Sequence, residues 1–176
     1  GRRRQRQMCI RDRLNIDHLL WNPQNQKPQL SVISLGHLEE SEKMFVLSAI
    51  LQSLLDWTRQ QKGTQALRAI FYMDEIFGYL PPVANPPSKK PLLTLLKQAR
   101  AFGLGLVLST QNPSDLDYKA LSNMGTWFLG KLQTEQDRKK ILDGLKTTSG
   151  KFIESLQNAL SSLPKRHFIV RNVHEK

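Results

Sequence analysis

The sequence has little of what marks secreted or membrane-spanning proteins. Among its 176 residues there is a single cysteine, Cys9, so the chain can form neither an internal disulfide nor a cysteine-rich zinc site, and a reducing compartment is indicated. The longest mostly apolar stretch, Met44–Leu55, is interrupted by polar residues and is shorter than the roughly 18 residues that a membrane-spanning helix needs. A signal-peptide pattern is also missing. We therefore expect a cytoplasmic protein without a membrane segment.

Two common kinds of enzyme site are missing as well. The chain has four histidines, His18, His37, His167 and His174. Their spacing is not that of metal ligands. No Gly-x-Ser-x-Gly motif marks a nucleophilic serine. The composition nevertheless favours a folded domain, because 39% of the residues are hydrophobic and 23% are charged, which is not typical of a disordered or low-complexity chain.

Positive charge is unevenly distributed along the chain. There are 26 Lys and Arg against 15 Asp and Glu, a net charge of +11. The first 13 residues, GRRRQRQMCIRDR, hold six arginines and one aspartate, and such an arm can bind nucleic acid. The string QMCIRDR also resembles translated sequencing-adapter read-through. We interpret residues 1–13 as a non-native or disordered basic arm and residues 14–176 as the folded part, and on this interpretation the chain starts in mid-gene.

The hydrophobic periodicity predicts strands that alternate with helices. Apolar and β-branched runs predict strands at 30–35, 67–73, 104–110, 126–132 and 167–173. Amphipathic segments with capping residues and terminal glycines predict helices at 39–62, 88–102, 115–121, 134–142 and 152–160. The run at 67–73 is typical of a central strand that is covered on both faces. This order predicts an α/β fold with a mostly parallel sheet and flanking helices.

Two acidic residues directly follow the second predicted strand. Asp74 and Glu75 end the string AIFYMDE, and successive residues at a strand tip point to opposite sides. One carboxylate can therefore hold Mg²⁺ while the other orients an attacking water. The alternative is that two acids simply end a strand at the protein surface. Because parallel α/β sheets bind ligands at the carboxyl ends of their strands, the pair is a candidate site.

Amide side chains follow the third predicted strand. Gln111 and Asn112 end the string LVLSTQN, before Pro113. A neutral amide at the tip of a neighbouring strand can contact a terminal phosphate or the attacking water. Alternatively, both amides only begin a turn. If the two strands are neighbours, Gln111 lies at the same edge of the sheet as the two acids.

Taken together, these strings resemble the HerA/FtsK clade of hexameric RecA-like ATPases, in particular the bacterial HerA-like ATP-binding proteins. The strings that carry the resemblance are SVISLGHLEESEKMFV, IFYMDEIFGYLPPVANPPSKKPLLTLLKQARAFGLGLVLSTQNPSDLDYKALSN, GTWFLGKLQTEQDRKKILDGL and LPKRHFIVRNVHE. The resemblance covers residues 14–175. It implies that they form the C-terminal part of a RecA-like ATPase core, with ATP and Mg²⁺ as cofactors.

The resemblance implies roles for four residues. Asp74 matches the Walker B residue that binds magnesium, and Glu75 matches the base that positions water. Gln111 matches the polar sensor of the γ-phosphate. Arg100, in KQARAFG, matches a position from which an arginine finger contacts the ATP of a neighbouring subunit. A simpler alternative for Arg100 is a favourable interaction with the dipole at the end of its helix.

One element of such ATPases is missing from this chain, the phosphate-binding motif G-x-x-x-x-G-K-[ST]. The string GLKTTSGKF at residues 144–152 has five residues between its glycines and a phenylalanine where a hydroxyl residue must bind Mg²⁺, so we reject it. We therefore expect an incomplete RecA-like sheet from which the P-loop strand is absent. The chain by itself is expected not to hydrolyse ATP.

The resemblance also implies partners. The intact protein is expected to form a ring, a hexamer, that moves along double-stranded DNA, with a nuclease as a further partner. Tyr79, Lys89 and Lys90, in a proline-rich loop, offer stacking and phosphate contacts to DNA, and the alternative is an ordinary surface loop. Whether Lys131 or Arg138 acts on the ATP of a neighbouring subunit stays open. The alternative function is a non-catalytic nucleic-acid-binding or assembly module.

Deletion of residues 1–13 is expected to leave the melting temperature of the chain unchanged, because a non-native or disordered arm does not contribute to a folded core. Thermal unfolding followed by circular dichroism, with and without the arm, measures the difference. A melting temperature several degrees lower without the arm would mean that these residues belong to the fold.

Overall fold

The computed structural model describes residues 14–113, 116–132, 134–144, 156 and 158–172. The predicted basic arm, residues 1–13, lies outside the described residues. The chain divides into two compact units. Of the described residues, 14–73 and 85–108 form the first unit, and 74–84 together with those from 109 onward form the second. Within the part of the chain that is described, no helix is long and apolar enough to span a membrane.

The first unit is organised by one long helix, α2, Glu40–Gln60, which follows the short helix α1, Ile16–Leu20. The first N–H groups of a helix lack partners within it, and here the carboxylate of Glu42 accepts a hydrogen bond from the backbone N–H of Glu39 at 3.2 Å. The predicted helix at 39–62 is therefore confirmed. Its buried face consists of Leu47, Ile50, Leu51, Leu54, Leu55 and Trp57.

The sheet of the first unit has two parallel strands. β1, Thr64–Met73, pairs with β2, Phe102–Leu108. The connection between them includes helix α3, Lys89–Gln98, and a 3-10 turn at Ala99–Ala101. The prediction of two parallel strands with a helical crossover is confirmed. β2 ends two residues earlier than the sequence predicted, which places two hydroxyl residues beyond the strand.

The two faces of this sheet differ in burial. On one face Ala69, Met73 and Leu104 are buried, and β2 contacts both α2 and α3. On the other face Ile70 and Tyr72 are 57% and 59% exposed. The prediction that β1 is covered on both faces is therefore wrong for this chain, because the described helices leave one face of the sheet accessible to solvent.

Residues 30–35, predicted to form the first strand, are irregular. The segment is held beside α1 by a side chain, with Ser31 Oγ donating to Leu19 O at 2.6 Å. Leu30 and Val32 are 90% and 83% exposed. The apolar run indicated a strand, but a strand needs a neighbour to pair its backbone N–H and C=O groups. No described strand lies beside this segment, so the prediction is wrong.

The second unit contains short helices and an antiparallel strand pair. Its elements are α4, Tyr118–Leu121; β3, Thr126–Leu129; α5, Glu135–Gly144; and β4, Ile169–Asn172. Phe128 of β3 lies opposite Val170 of β4. This antiparallel pair differs from the parallel arrangement that the alternation of elements predicted. Strand direction depends on the route of the connecting chain, which hydrophobic periodicity does not encode.

The core of the second unit includes the segment that follows β1. Its buried side chains include Ile76, Leu80, Leu116, Leu121, Ile141 and Leu160. The backbone joins distant parts of this core, since Asp117 N donates to Leu80 O at 2.7 Å. Of the helix predicted at 152–160, residues 156 and 158–160 are helical, and residues 152–155 and 157 lie outside the described residues. The core thus fixes the chain directly after Asp74 and Glu75.

Replacement of Gly103 by alanine is expected to lower the free energy of unfolding by about 1–3 kcal/mol. Gly103 has a φ of +79°, and a Cβ at this position would lie 2.5 Å from Ala66 O, in the backbone of β1. Guanidinium unfolding measures the change. The matched control is Gly36→Ala, where a Cβ meets nothing within 4 Å and the expected change is within about 0.5 kcal/mol. Equal effects of the two substitutions would contradict the prediction.

Candidate active site

The candidate site lies where β1 and β2 end side by side. Met73 is paired with Leu108 in the parallel register, so the next residue along each strand, Asp74 and Ser109, are neighbours. Gln111 follows two positions after Ser109. The acids directly follow β1, and the segment that contains Gln111 directly follows β2. Parallel α/β sheets bind ligands beyond the carboxyl ends of their strands.

Hydrogen bonds join the two polar segments within the second unit. Ser109 Oγ donates to Asp74 Oδ1 at 2.6 Å and accepts from the backbone N–H of Glu75 at 3.3 Å. The carbonyl oxygen of Ser109 accepts from the N–H of Ile76 at 3.0 Å. Thr110 Oγ1 donates to Glu75 Oε1 at 3.3 Å. Each carboxylate therefore has a hydroxyl of the neighbouring segment as a hydrogen-bond partner.

Glu75 has an unusual backbone conformation. Its φ is +50°, in the left-handed region, which costs roughly 1–2 kcal/mol for a residue with a Cβ. Its side chain is half-buried, and the next residue, Ile76, is 1% exposed. Strain of this kind persists where neighbouring contacts hold the backbone in place, and it is commonest at functional sites. The turn presents Asp74 to solvent and holds Glu75 against the segment that follows β2.

The contacts of the acids are made by residues that the sequence pattern did not single out. The pattern indicated Gln111, which is exposed, whereas Ser109 and Thr110 hydrogen-bond to the two carboxylates. The signal that identifies these hydroxyls is positional. They directly follow the apolar run of β2, just as the acids directly follow the apolar run of β1.

The other predicted functional residues are distributed over both units. Arg100 is exposed in the 3-10 turn that follows α3, in the first unit. Lys90, in the first turn of α3, is exposed, whereas Lys89 is only 6% exposed. Tyr79 is half-buried in the loop of the second unit. Lys90 is therefore the lysine of this pair that faces solvent.

Two basic residues that could act on the ATP of a neighbouring subunit, Lys131 and Arg138, lie in the second unit. Lys131 is exposed shortly after β3. Arg138, half-buried in α5, donates from Nη1 to Leu132 O at 2.9 Å. Of the two, Lys131 has the side chain that is open to solvent.

The donor set at the sheet edge fits a magnesium nucleotide. In nucleotide sites Mg²⁺ is bound by one or two carboxylates together with phosphate oxygens and water, and the exposed carboxylate of Asp74 suits this role. The carboxylate of Glu75 can orient a water molecule and accept its proton. The hydroxyls of Ser109 and Thr110 orient the carboxylates of Asp74 and Glu75, respectively. The arrangement is chemically suited to attack of water on a phosphate.

The strain at Glu75 gives a prediction for stability. Glu75→Gly is expected to unfold at a higher denaturant concentration than Glu75→Ala, by about 1 kcal/mol in unfolding free energy, because glycine adopts positive φ without a steric penalty. Both substitutions remove the carboxylate, so the comparison isolates the backbone. Guanidinium unfolding of the two variants gives the difference. An alanine variant as stable as the glycine variant would show that position 75 is not strained.

Relatives of known name match most of this chain in sequence. A probable helicase of Methanocaldococcus jannaschii is 29% identical over 157 residues, which cover 86% of this chain and 30% of the relative. The DNA double-strand break repair helicase HerA of Saccharolobus solfataricus is 28% identical over 142 residues, covering 78% of this chain and 28% of the relative. The chain thus spans about 30% of the length of the curated relatives it matches. No protein-family model matches it.

Solved structures with the same fold include the genome packaging NTPase B204 from Sulfolobus turreted icosahedral virus 2. Its complex with AMP matches with a TM-score of 0.56 at 15% sequence identity, covering 91% of this chain and 67% of that chain. Its complex with ATP-gammaS matches over the same shares with a TM-score of 0.54. Identity this low establishes the fold alone. The chain is therefore similar in sequence to HerA helicases and in fold to a RecA-like P-loop NTPase, and its predicted resemblance to HerA/FtsK-type ATPases is confirmed.

Proposed function

We propose that this chain supplies the Walker B acids and the polar sensor of an ATP-hydrolysing DNA translocase or helicase-like motor of the HerA/FtsK type. The observation that carries the proposal is the hydrogen-bonded group of Asp74, Glu75, Ser109 and Thr110 at the carboxyl edge of two parallel strands. Relatives named as DNA repair helicases and a fold neighbour named as a genome packaging NTPase support the same class of function. The other parts of the ATP site are proposed to come from the rest of a longer protein.

The two acids have different roles in this proposal. Asp74, which is exposed, binds the magnesium ion of MgATP, and the ion supplies charge neutralisation on the phosphate oxygens. Glu75, held by Thr110, orients the attacking water and accepts its proton. The two carboxylates occupy separate positions, because Asp74 bonds to Ser109 and Glu75 bonds to Thr110.

Two further residues are proposed to contact the phosphate. Gln111 is exposed at the same edge of the strand pair, and its amide can both donate to a γ-phosphate oxygen and accept from the water. Arg100 is exposed in the first unit, and its guanidinium is proposed to stabilise the charge of the transition state in a neighbouring subunit. Its alternative role is to interact with the dipole at the end of α3.

The assembled motor is proposed to be a ring, a hexamer, that acts on double-stranded DNA. Lys90 has the exposed charge that a phosphate contact needs, whereas the buried Lys89 and the half-buried Tyr79 present less of their side chains. Neutralisation of DNA phosphates by such bases makes binding weaken as salt increases. A nuclease is proposed as a partner of the intact protein.

The second candidate function is a nucleic-acid-binding or assembly module without ATP turnover. This chain contains no G-x-x-x-x-G-K-[ST] motif, and its net charge of +11 favours a polyanionic partner. The two candidates differ in one measurable property, ATP turnover by the intact protein. The second candidate predicts that turnover is missing even when the upstream sequence is present.

Glu75→Gln in the intact protein is expected to lower ATP hydrolysis by at least about 100-fold while ATP binding is retained, because the amide keeps the size of the side chain but cannot accept the proton. Steady-state phosphate release measures hydrolysis, and binding of a fluorescent ATP analogue measures affinity. Unchanged turnover in this variant would remove Glu75 from the mechanism.

The matched control is Glu135→Gln, an identical change at an exposed position in the first turn of α5, for which wild-type turnover is expected. The 176-residue chain alone, with or without Mg²⁺, is expected to release no phosphate from ATP. Magnesium-dependent turnover by this chain would contradict the proposal that the phosphate-binding loop lies elsewhere in a longer protein.

A further inference from the structure

Ser109 contacts three consecutive residues of the turn that carries the acids. Its hydroxyl donates to Asp74 Oδ1 at 2.6 Å and accepts from the N–H of Glu75 at 3.3 Å, and its carbonyl accepts from the N–H of Ile76 at 3.0 Å. The bond to Asp74 is in the short range typical of a hydroxyl that donates to a carboxylate.

These contacts act on the strained part of the turn. Glu75 has a φ of +50°, and a conformation of this cost persists only when neighbouring groups hold it. The N–H groups of Glu75 and of Ile76 both donate to Ser109, so the backbone on either side of the Glu75 α-carbon is tied to one residue of the segment after β2. Ser109 therefore holds the backbone from which the Glu75 side chain extends, while Thr110 bonds to the carboxylate itself.

We propose that Ser109 is a positioning residue for ATP hydrolysis: its hydroxyl orients the Asp74 carboxylate and holds Glu75 in the left-handed conformation that aims its carboxylate at water. The proposal rests on the proposed function, because positioning matters only if Asp74 and Glu75 act on a nucleotide. In this proposal Ser109 acts on the two acids and has no direct role toward substrate or metal. Its effect on the reaction is indirect, through the two acids. Residues that orient metal ligands act in the same way, and substitution of such a residue typically lowers affinity or activity 10–100-fold.

The serine hydroxyl can be separated from the rest of the residue by substitution. Ser109→Ala removes the bonds to Asp74 and Glu75 but keeps the carbonyl that binds the N–H of Ile76. Ser109→Thr restores a hydroxyl at the same position. The matched control is Ser161→Ala, in which an exposed serine of the same unit loses only a local bond, from its Oγ to Asn158 O at 2.8 Å.

The first measurement uses the 176-residue chain and needs no ATP. In Ser109→Ala the amide proton of Glu75 is expected to exchange with solvent at least about tenfold faster by NMR, while amides in the middle of α2 exchange as in wild type. Ser109→Thr and Ser161→Ala are expected to exchange like wild type at Glu75. An unchanged Glu75 amide in Ser109→Ala would overturn the proposal, whatever the activity of the protein.

The second measurement uses the intact protein. Ser109→Ala is expected to lower kcat about 10–100-fold and to raise the Mg²⁺ concentration needed for half-maximal rate. The KM for ATP is expected to change less than about twofold. The melting temperature is expected to stay within a few degrees of wild type. Ser109→Thr is expected to recover most of the rate. A loss of stability without these kinetic changes would mean a merely structural serine and would overturn the proposal.

The two proposals fail in different ways. If Glu75→Gln abolishes turnover and Ser109→Ala hydrolyses ATP normally, Ser109 is not a positioning residue and the proposed function stands. If the wild-type intact protein shows no ATP turnover, the proposed function fails. If Glu75→Gln leaves turnover unchanged, the role of Glu75 as the base fails, and the positioning of a catalytic Glu75 fails with it.

Discussion

The parallel pairing of β1 with β2 is the constraint on which the candidate site depends. Because Met73 is paired with Leu108, the residues that follow each strand emerge together. A shift of the register by one residue would move every side chain of one strand to the opposite face. Such a shift would also separate Asp74 from Ser109. The conformation of Gly103, which permits close approach to the backbone of β1, helps to maintain this register.

The turn after β1 combines a stable anchor with a strained residue. Ile76 and Leu80, which are almost fully buried, fix the chain that follows the acids, and hydrogen bonds from two backbone N–H groups to Ser109 fix its start. Between these anchors Glu75 adopts a positive φ. Native structures commonly retain such local strain where function needs a particular side-chain direction, and the surrounding packing supplies the stabilisation.

Similarity to known proteins differs between fold and sequence. The packaging NTPase shares the fold at 15% identity, and a shared fold by itself does not determine function. HerA helicases share more of the sequence, although the match covers less than a third of their length. The proposed nucleotide chemistry therefore depends on the local arrangement of two carboxylates and the two hydroxyls that bond to them.

Periodicity in the sequence determined most of the regular structure. The long helix and the strands that precede the polar segments were predictable, because each buries an apolar face with a regular repeat. Contact between the segments that follow β1 and β2 was predictable, since carboxyl ends of adjacent parallel strands meet at one edge. The resemblance to HerA/FtsK-type ATPases was also visible in the sequence, because its strings occur in a specific order.

Tertiary structure alone decided the remaining features. Residues 30–35 are apolar enough for a strand, yet backbone groups form a strand only when another strand is present to pair with them. The antiparallel direction of β3 and β4 and the exposed face of β1 depend on which segments meet in space. The contacts of Ser109 and the positive φ of Glu75 arise from the same cause. They depend on distances between residues about 35 positions apart in sequence, which local pattern does not specify.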